Sequence, residues 1–212
     1  MSNFELGFLT NDQNNQRQAR GLGDFDRANR GVLSLVYTAP RLSTRSTLLR
    51  MSLSNWSLST VAVAETGSPI TATDSNAGSI YGNLSGFSRA ECTGLDPATR
   101  GSTISRLNGY LNPAAFTAAP SVDGDPQSTY FGNCSVGILR GPMQRNIDLA
   151  VSRSFPVKES GSLQFRTEFF NFTNTPNFGN PIGNLAAGAA FGLITSKTTN
   201  PRIIQFALKY AF

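Results

Sequence analysis

The sequence has no histidine, and charged residues make up only 15% of its 212 residues. Without histidine the chain cannot form a Ser-His-Asp triad or a His-Glu-x-x-His zinc site. It also contains neither a Gly-x-Ser-x-Gly turn nor a Gly-Lys-Ser/Thr phosphate loop. Nothing in the pattern brings two carboxylates together for glycoside chemistry. We therefore expect a protein that is not an enzyme and that holds no cofactor or metal.

Long apolar runs are missing as well. No stretch of about 18 apolar residues occurs, so the sequence predicts no transmembrane helix. The first ten residues, MSNFELGFLT, lack the basic start and apolar centre of a signal peptide, so none is expected. The net charge is +5, but the basic residues are spread singly along the chain. This favours a diffusely basic surface over a nucleic-acid site, so no nucleic-acid partner is expected.

Alternation of apolar and polar residues is the pattern that the sequence does contain. It recurs in five segments, which are RGVLSLVYTAP, NWSLSTVAVAE, RNIDLAVSRSF, SLQFRTEFFNF and the C-terminal PRIIQFALKYAF. A sixth candidate, NFELGF, lies near the N-terminus. A period of two gives a β-strand with one apolar and one polar face. The sequence therefore predicts an all-β protein with about six long strands.

The connections between these strands alternate in length. A region of nearly eighty residues, about 66–144, follows the second strand, and a second long loop, 173–200, follows the fourth. Only PVKESG separates the third strand from the fourth. A loop as long as the first is unusual in a compact soluble domain. Short turns alternating with long extracellular loops are typical of an antiparallel transmembrane β-barrel. The alternative is a β-sandwich with one dry face.

Side-chain placement agrees with a barrel wall, in which apolar side chains face lipid and polar ones face the lumen. The fourth segment supplies three polar residues that we expect to face the lumen: Gln164, Arg166 and Glu168. Aromatic residues stand near strand ends, where barrels carry their interfacial girdles: Tyr37, Trp56 and Phe155. About six strands would leave two open sheet edges. We therefore expect a segment of a larger barrel.

The two cysteines, Cys92 and Cys134, both lie in the first long loop. They are too few for a zinc site. If the loop is extracellular, its setting is oxidising and a disulfide can form, which would stabilise the fold by about 3–4 kcal/mol. Two unpaired thiols are the alternative that the sequence leaves open.

Five stretches together resemble one family, the TonB-dependent outer-membrane receptors of the Oar-like type. They are RGLGDFDRANRGVLSLVYTAP, SRLNGYLNPAAF, FGNCSVGILRGPMQRNIDLAVSRSF, LQFRTEFFNFTNTPNFGNP and FGLITSKTTNPRIIQFALKYAF. They keep the family's order and cover nearly the whole chain. One departure is Ala28, which stands where the family's segment has histidine. The resemblance implies that residues 1–212 are the C-terminal part of a barrel of about 22 strands.

The resemblance also implies a location and partners. The location is the bacterial outer membrane, as part of a full-length parent, with outer-membrane lipid around the wall. Nutrient uptake would be driven by the TonB complex through an N-terminal plug, which this sequence lacks, so we do not expect the chain to transport alone. The transported substrate is not implied. The alternative function is that of a secreted or surface β-sandwich used in adhesion or binding.

Barrels of this kind use a C-terminal strand that ends in Phe as a signal for the barrel-assembly machinery. The residues that match this signal here share one parity: Phe206, Leu208, Tyr210 and Phe212. Recognition would occur by pairing with an exposed strand edge.

Overall fold

The computed structural model describes residues 15, 17, 20–40, 43, 53–76, 88–157 and 161–212, with only the backbone described at 126–128. These residues form β-strands and three short 3₁₀ turns (Ile104–Arg106, Pro113–Ala115 and Leu185–Ala190). The strands are β1 (Arg30–Thr38), β2 (Trp56–Glu65), β3 (Pro69–Ile70), β4 (Thr73–Asp74), β5 (Ser88–Arg89), β6 (Glu91–Cys92), β7 (Phe116–Thr117), β8 (Ser121–Val122), β9 (Asp125–Thr129), β10 (Leu139–Arg140), β11 (Gln144–Val157), β12 (Gly161–Phe170) and β13 (Ile203–Ala211). None of the helices among the described residues is long and apolar enough to cross a membrane. The all-β prediction is confirmed.

The described chain divides into two compact units. We call the first the sheet unit, which consists of Asn29–Glu65, Gln144–Asn177 and Thr198–Phe212. We call the second the loop unit, which consists of Thr66–Met143 and Phe178–Lys197 together with the described residues up to Ala28.

The sheet unit is one five-stranded antiparallel sheet in the order β1-β2-β11-β12-β13. Its strands coincide with the five alternating segments predicted from the sequence. The sixth candidate, NFELGF, falls outside the described residues. The five long strands lie side by side in the order in which they occur in the chain, with the short strands of the first long connection between β2 and β11. The sheet is therefore a meander in which each long strand reverses the direction of the last.

The pairing register shows where each connection leaves the sheet. Glu65 lies opposite Gln144, so the first long connection starts and ends at one edge of the strands. The second long connection, after Phe170, leaves from the same end. Val157 pairs with Gly161 at the opposite end, where β11 turns into β12. We call these the connection end and the turn end of the sheet.

The loop unit has a hydrophobic core of its own, which the sequence did not lead us to expect in long, polar loops. Its buried residues come from both long connections: Ile70, Ala72, Ala90, Tyr110, Leu111, Ala115, Phe116, Cys134, Phe191 and Ile194. The rings of Phe116 and Phe191 meet edge to face with centroids 5.4 Å apart, a favoured aromatic geometry. The two connections therefore fold together as one body.

A disulfide links Cys92 to Cys134, whose Cα atoms are 5.0 Å apart. The residues just before each cysteine also bind each other. The backbone N–H of Cys92 donates to Oδ1 of Asn133 at 2.8 Å, and the backbone N–H of Asn133 donates to Oε2 of Glu91 at 2.9 Å. These hydrogen bonds align the two segments independently of the covalent bond.

Gly132 allows these segments to approach so closely. A Cβ atom at this position would overlap the backbone carbonyl oxygen of Arg89. The N–H of Gly132 donates to the hydroxyl of Ser88, which is itself buried. A larger residue at 132 would push apart the segments that the disulfide joins.

If the two connections share a core, truncating Phe191 should loosen the first connection as well as the second. We expect Phe191→Ala to destabilise the loop unit by about 3–5 kcal/mol, the usual cost of a large aromatic truncation. Limited proteolysis should then release fragments cut within 88–143. Thr195→Ala, an exposed change in the same connection, is the control and should leave the cleavage pattern as in wild type. Cleavage confined to the second connection would contradict the shared core.

Candidate functional site

The two faces of the five-stranded sheet are chemically different. Because side chains alternate along each strand, the register determines which residues share a face. One cross-strand row consists of Tyr37, Leu58, Val151, Thr167 and Phe206. Apolar residues of all five strands therefore fall on the same side, which we call the apolar face.

The apolar face is open to its surroundings on the two outer strands. Leu33 on β1 is 66% exposed, and Phe206 and Leu208 on β13 are 69% and 68% exposed. Contiguous apolar surface of this extent is rare on a soluble monomer and marks contact with a membrane or another protein. Every inner strand has its backbone paired on both sides, which a hydrocarbon environment requires.

The opposite face, which we call the polar face, carries the three residues predicted to point into a lumen. Gln164, Arg166 and Glu168 lie on it, with Ser152 across from Arg166 on β11. The guanidinium of Arg166 donates to Oε1 of Glu168 from Nε at 2.8 Å and from Nη2 at 2.7 Å. A water-exposed ion pair of this kind adds little stability. Because both charged groups are solvated, the pair suits a face that meets water.

The polar face becomes apolar on β1 and β2. Val32 pairs with Val63 there, and Val36 lies four residues further along β1 on the same face. A mostly apolar groove of about 650 Å³ lies at the connection end of the same strands, beside small residues such as Gly31 and Ala64. The two-sided apolar character of β1 was already present in the sequence, where Val and Leu occupy both parities and are interrupted only by Ser34.

The aromatic residues predicted to form a girdle all stand toward the turn end of the apolar face. Trp56 is the first residue of β2, and Phe155 lies two residues before the end of β11. Tyr37 is the second-to-last residue of β1. Tyr210 of β13 pairs with Leu163 near the start of β12, so it reaches the same end.

Arg153 lies among these aromatic residues, and the sequence analysis did not identify it as a candidate site residue. Its guanidinium carbon is 5.3 Å from the ring centroid of Trp56 and 4.6 Å from that of Phe155. The register puts it on the apolar face, opposite both Trp56 and Phe165. The sequence contained the necessary information, because Arg153 has the same parity as Val151 and Phe155 and must therefore share their face of the strand.

The C-terminal strand, β13, forms one outer edge of the sheet. It pairs with β12 from Ile203 to Ala211, and no other described strand lies beside it. Phe206, Leu208 and Tyr210 point to the apolar face. Phe212 is 98% exposed, and its ring stacks on Tyr210 with centroids 6.2 Å apart. The residues predicted as an assembly signal are therefore accessible in this structure.

Two buried asparagines, Asn171 and Asn177, form hydrogen bonds with β11 at the connection end of the sheet. The side chain of Asn177 pairs with the backbone of Arg145, donating to its carbonyl at 2.7 Å and accepting from its N–H at 2.8 Å. The N–H of Asn171 donates to Oδ1 of Asp148 at 2.9 Å. These bonds replace strand pairing where β12 has ended. The spacing of asparagines in NFTNTPN was the signal for them, and sequence reasoning did not use it.

The loop unit contains two ionisable groups with shifted pKa values. Burial lowers the pKa of Arg89. Burial raises the pKa of Tyr110, while the guanidinium of Arg106, 4.1 Å from the centre of its ring, acts in the opposite direction. The hydroxyl of Tyr110 donates to the carbonyl of Arg140 at 3.0 Å. Over the described ranges no three His, Cys, Asp or Glu residues cluster in a way that could hold a metal ion.

The family model for the outer membrane beta barrel domain matches residues 2–205. The chain belongs to this family. It is thus an outer-membrane β-barrel protein, and the predicted fold class is confirmed. No curated protein and no solved structure matches it. Walls of outer-membrane barrels carry apolar side chains toward lipid and polar ones toward the interior, and the sheet unit has one face of each kind.

A charge introduced on either face of β11 should distinguish the two environments. Val151 and Ser152 are adjacent near the middle of the strand but belong to opposite faces. We expect Val151→Arg to cost about 2–4 kcal/mol in a bilayer, as for a cation on the lipid face at mid-depth. Ser152→Arg, the matched control, should cost much less. Urea unfolding in lipid vesicles measures both, and equal costs would contradict the assignment of faces.

Proposed function

We propose that the chain forms the C-terminal part of the wall of a TonB-dependent outer-membrane receptor of the Oar-like type, which takes up a nutrient. The observation that carries the proposal is the two-faced meander, whose long connections both leave from one end. Family membership supports the outer-membrane barrel, and the five sequence stretches that resemble Oar-like receptors support the finer assignment.

The difference between the two ends gives the orientation of the wall. Outer-membrane barrels have short periplasmic turns and longer extracellular loops. The turn end, where β11 meets β12, then faces the periplasm, and both long connections face the exterior. An oxidising exterior suits the disulfide between Cys92 and Cys134.

The open edges of the sheet formed by the described strands support a place for the chain within a larger wall. β1 and β13 are its outer strands and do not pair with each other. Unpaired backbone groups are costly in hydrocarbon, so each edge requires a further strand. In a closed barrel β13 would pair with the first strand of the parent. The TonB complex would act on the parent through its plug domain.

A secreted or surface β-sandwich remains the runner-up. It would need a second sheet to cover the apolar face. The described strands of the sheet unit form one sheet, and Phe206 and Leu208 are exposed on it. Both observations favour the barrel wall over the sandwich.

The C-terminal strand offers the assembly machinery an open edge and an accessible terminal ring. We propose that this machinery recognises β13 by strand pairing, with Phe206, Leu208, Tyr210 and Phe212 as the apolar side of the signal. Ala211 and Lys209 belong to the other side and would not contribute to it.

Deleting Phe212 from the full-length parent should strongly reduce its outer-membrane level, because the signal loses its terminal ring. The measurement is the amount of heat-modifiable protein in the outer-membrane fraction. Ala211→Ser, a change on the other side of β13, is the control and should assemble normally. Unchanged assembly of the Phe212 deletion would refute the signal. Uptake that persists without TonB would refute the receptor assignment while leaving the barrel wall intact.

A further inference from the structure

We propose that Arg153, together with Trp56 and Phe155, binds the phosphate headgroup of an anionic phospholipid in the periplasmic leaflet. This inference rests on the proposed placement of the apolar face against lipid and of the turn end toward the periplasm. It adds a lipid site to a surface that would otherwise only contact acyl chains.

The position of Arg153 is unusual for a cation. Its neighbours along the strand on the same face are Val151 and Phe155, and its cross-strand neighbours are Trp56 and Phe165. An arginine that faces hydrocarbon is costly at mid-depth and is tolerated close to the interface. Its location therefore requires that the guanidinium reach the polar boundary of the bilayer.

The depth of the residue allows this. Arg153 lies four residues before Val157, the last residue of β11 at the turn end. At about 3.3 Å per residue this is roughly 13 Å along the strand, and roughly 10 Å along the membrane normal for the usual strand tilt. A long arginine side chain can extend over much of that distance and keep its charged group at the interface.

Two aromatic rings hold the guanidinium. It lies 5.3 Å from the ring centroid of Trp56 and 4.6 Å from that of Phe155. Guanidinium groups stack on aromatic rings and also bind phosphate through their N–H groups. Tryptophan is itself favoured at the headgroup level. The three side chains thus combine a phosphate-binding group with apolar contacts for the glycerol and the upper acyl chain.

The charge of the apolar face favours a lipid with an anionic headgroup. Among the described strand residues of the apolar face, the charged ones are Arg153 and Arg145, and Arg145 lies at the other end of β11. These described strand residues include no carboxylate. A face that is apolar except for cations is complementary to a lipid with apolar chains and an anionic head, and not to a zwitterionic lipid of the same chains.

Trp56 is the only tryptophan of the chain, so its fluorescence reports directly on this position once any tryptophan elsewhere in the full-length parent is replaced by phenylalanine. This parent, in which both edges of the sheet can pair, is refolded into phosphatidylcholine vesicles that contain a fixed minor fraction of chain-brominated phosphatidylglycerol. A parallel sample contains the same fraction of brominated phosphatidylcholine. We expect stronger quenching by the anionic lipid, equivalent to a local enrichment on the order of fivefold.

Three variants test whether Arg153 is the cause. Arg153→Gln should abolish the preference for the anionic lipid, and Arg153→Lys, which keeps the charge but not the fork, should retain only part of it. Lys209→Gln is the matched control. Lys209 pairs with Gln164, which is opposite Ser154, so it lies at a similar depth on the polar face. It should keep the full preference. Quenching by brominated phosphatidylcholine verifies insertion of every variant.

Each result decides between specific alternatives. Equal quenching of the wild type by the two lipids would overturn the headgroup site and leave the lipid-facing wall in place. A preference that survives in Arg153→Gln, or that is lost in Lys209→Gln as well, would also overturn it, because the attraction would then come from overall charge. No quenching by either lipid would mean that the apolar face does not meet lipid, which contradicts the proposed function itself.

Discussion

The register of β11 against its two neighbours is the constraint on which the rest of the sheet depends. A slip of one residue on either side would move that side's apolar residues to the polar face. Hydrogen bonds at the connection end oppose such a slip. Asn177 pairs with the backbone of Arg145, and Thr60 of β2 donates to the carbonyl of Asp148 at 2.8 Å. One continuous apolar face exists because these strands cannot shift.

The long connections follow a different principle from the strands they join. Their core is small and depends on close backbone approach, a disulfide and aromatic contact between Phe116 and Phe191. These contacts give the two long connections a defined fold that is separate from the pairing of the five long strands.

Sequence reasoning found the strands because a period of two is strongly imposed when one face must be apolar. The five alternating segments match β1, β2, β11, β12 and β13, and the polar residues Gln164, Arg166 and Glu168 share one face as expected. It could not find the core of the loop unit, because Phe116 and Phe191 are distant in sequence and no periodicity links them. It also passed over Arg153, a cation inside an otherwise apolar pattern, and the spacing of the asparagines in NFTNTPN, which includes Asn177.

We propose that β11 crosses a bilayer with one face in lipid and the other in water. A spin-label scan of residues 147–155 tests this placement most directly, with collision rates measured for oxygen and for a water-soluble nickel chelate. Oxygen accessibility is expected to peak at 147, 149, 151 and 155 and chelate accessibility at 148, 150, 152 and 154, so that the two profiles alternate with a period of two. Profiles without alternation, or peaks on the opposite residues, would contradict it.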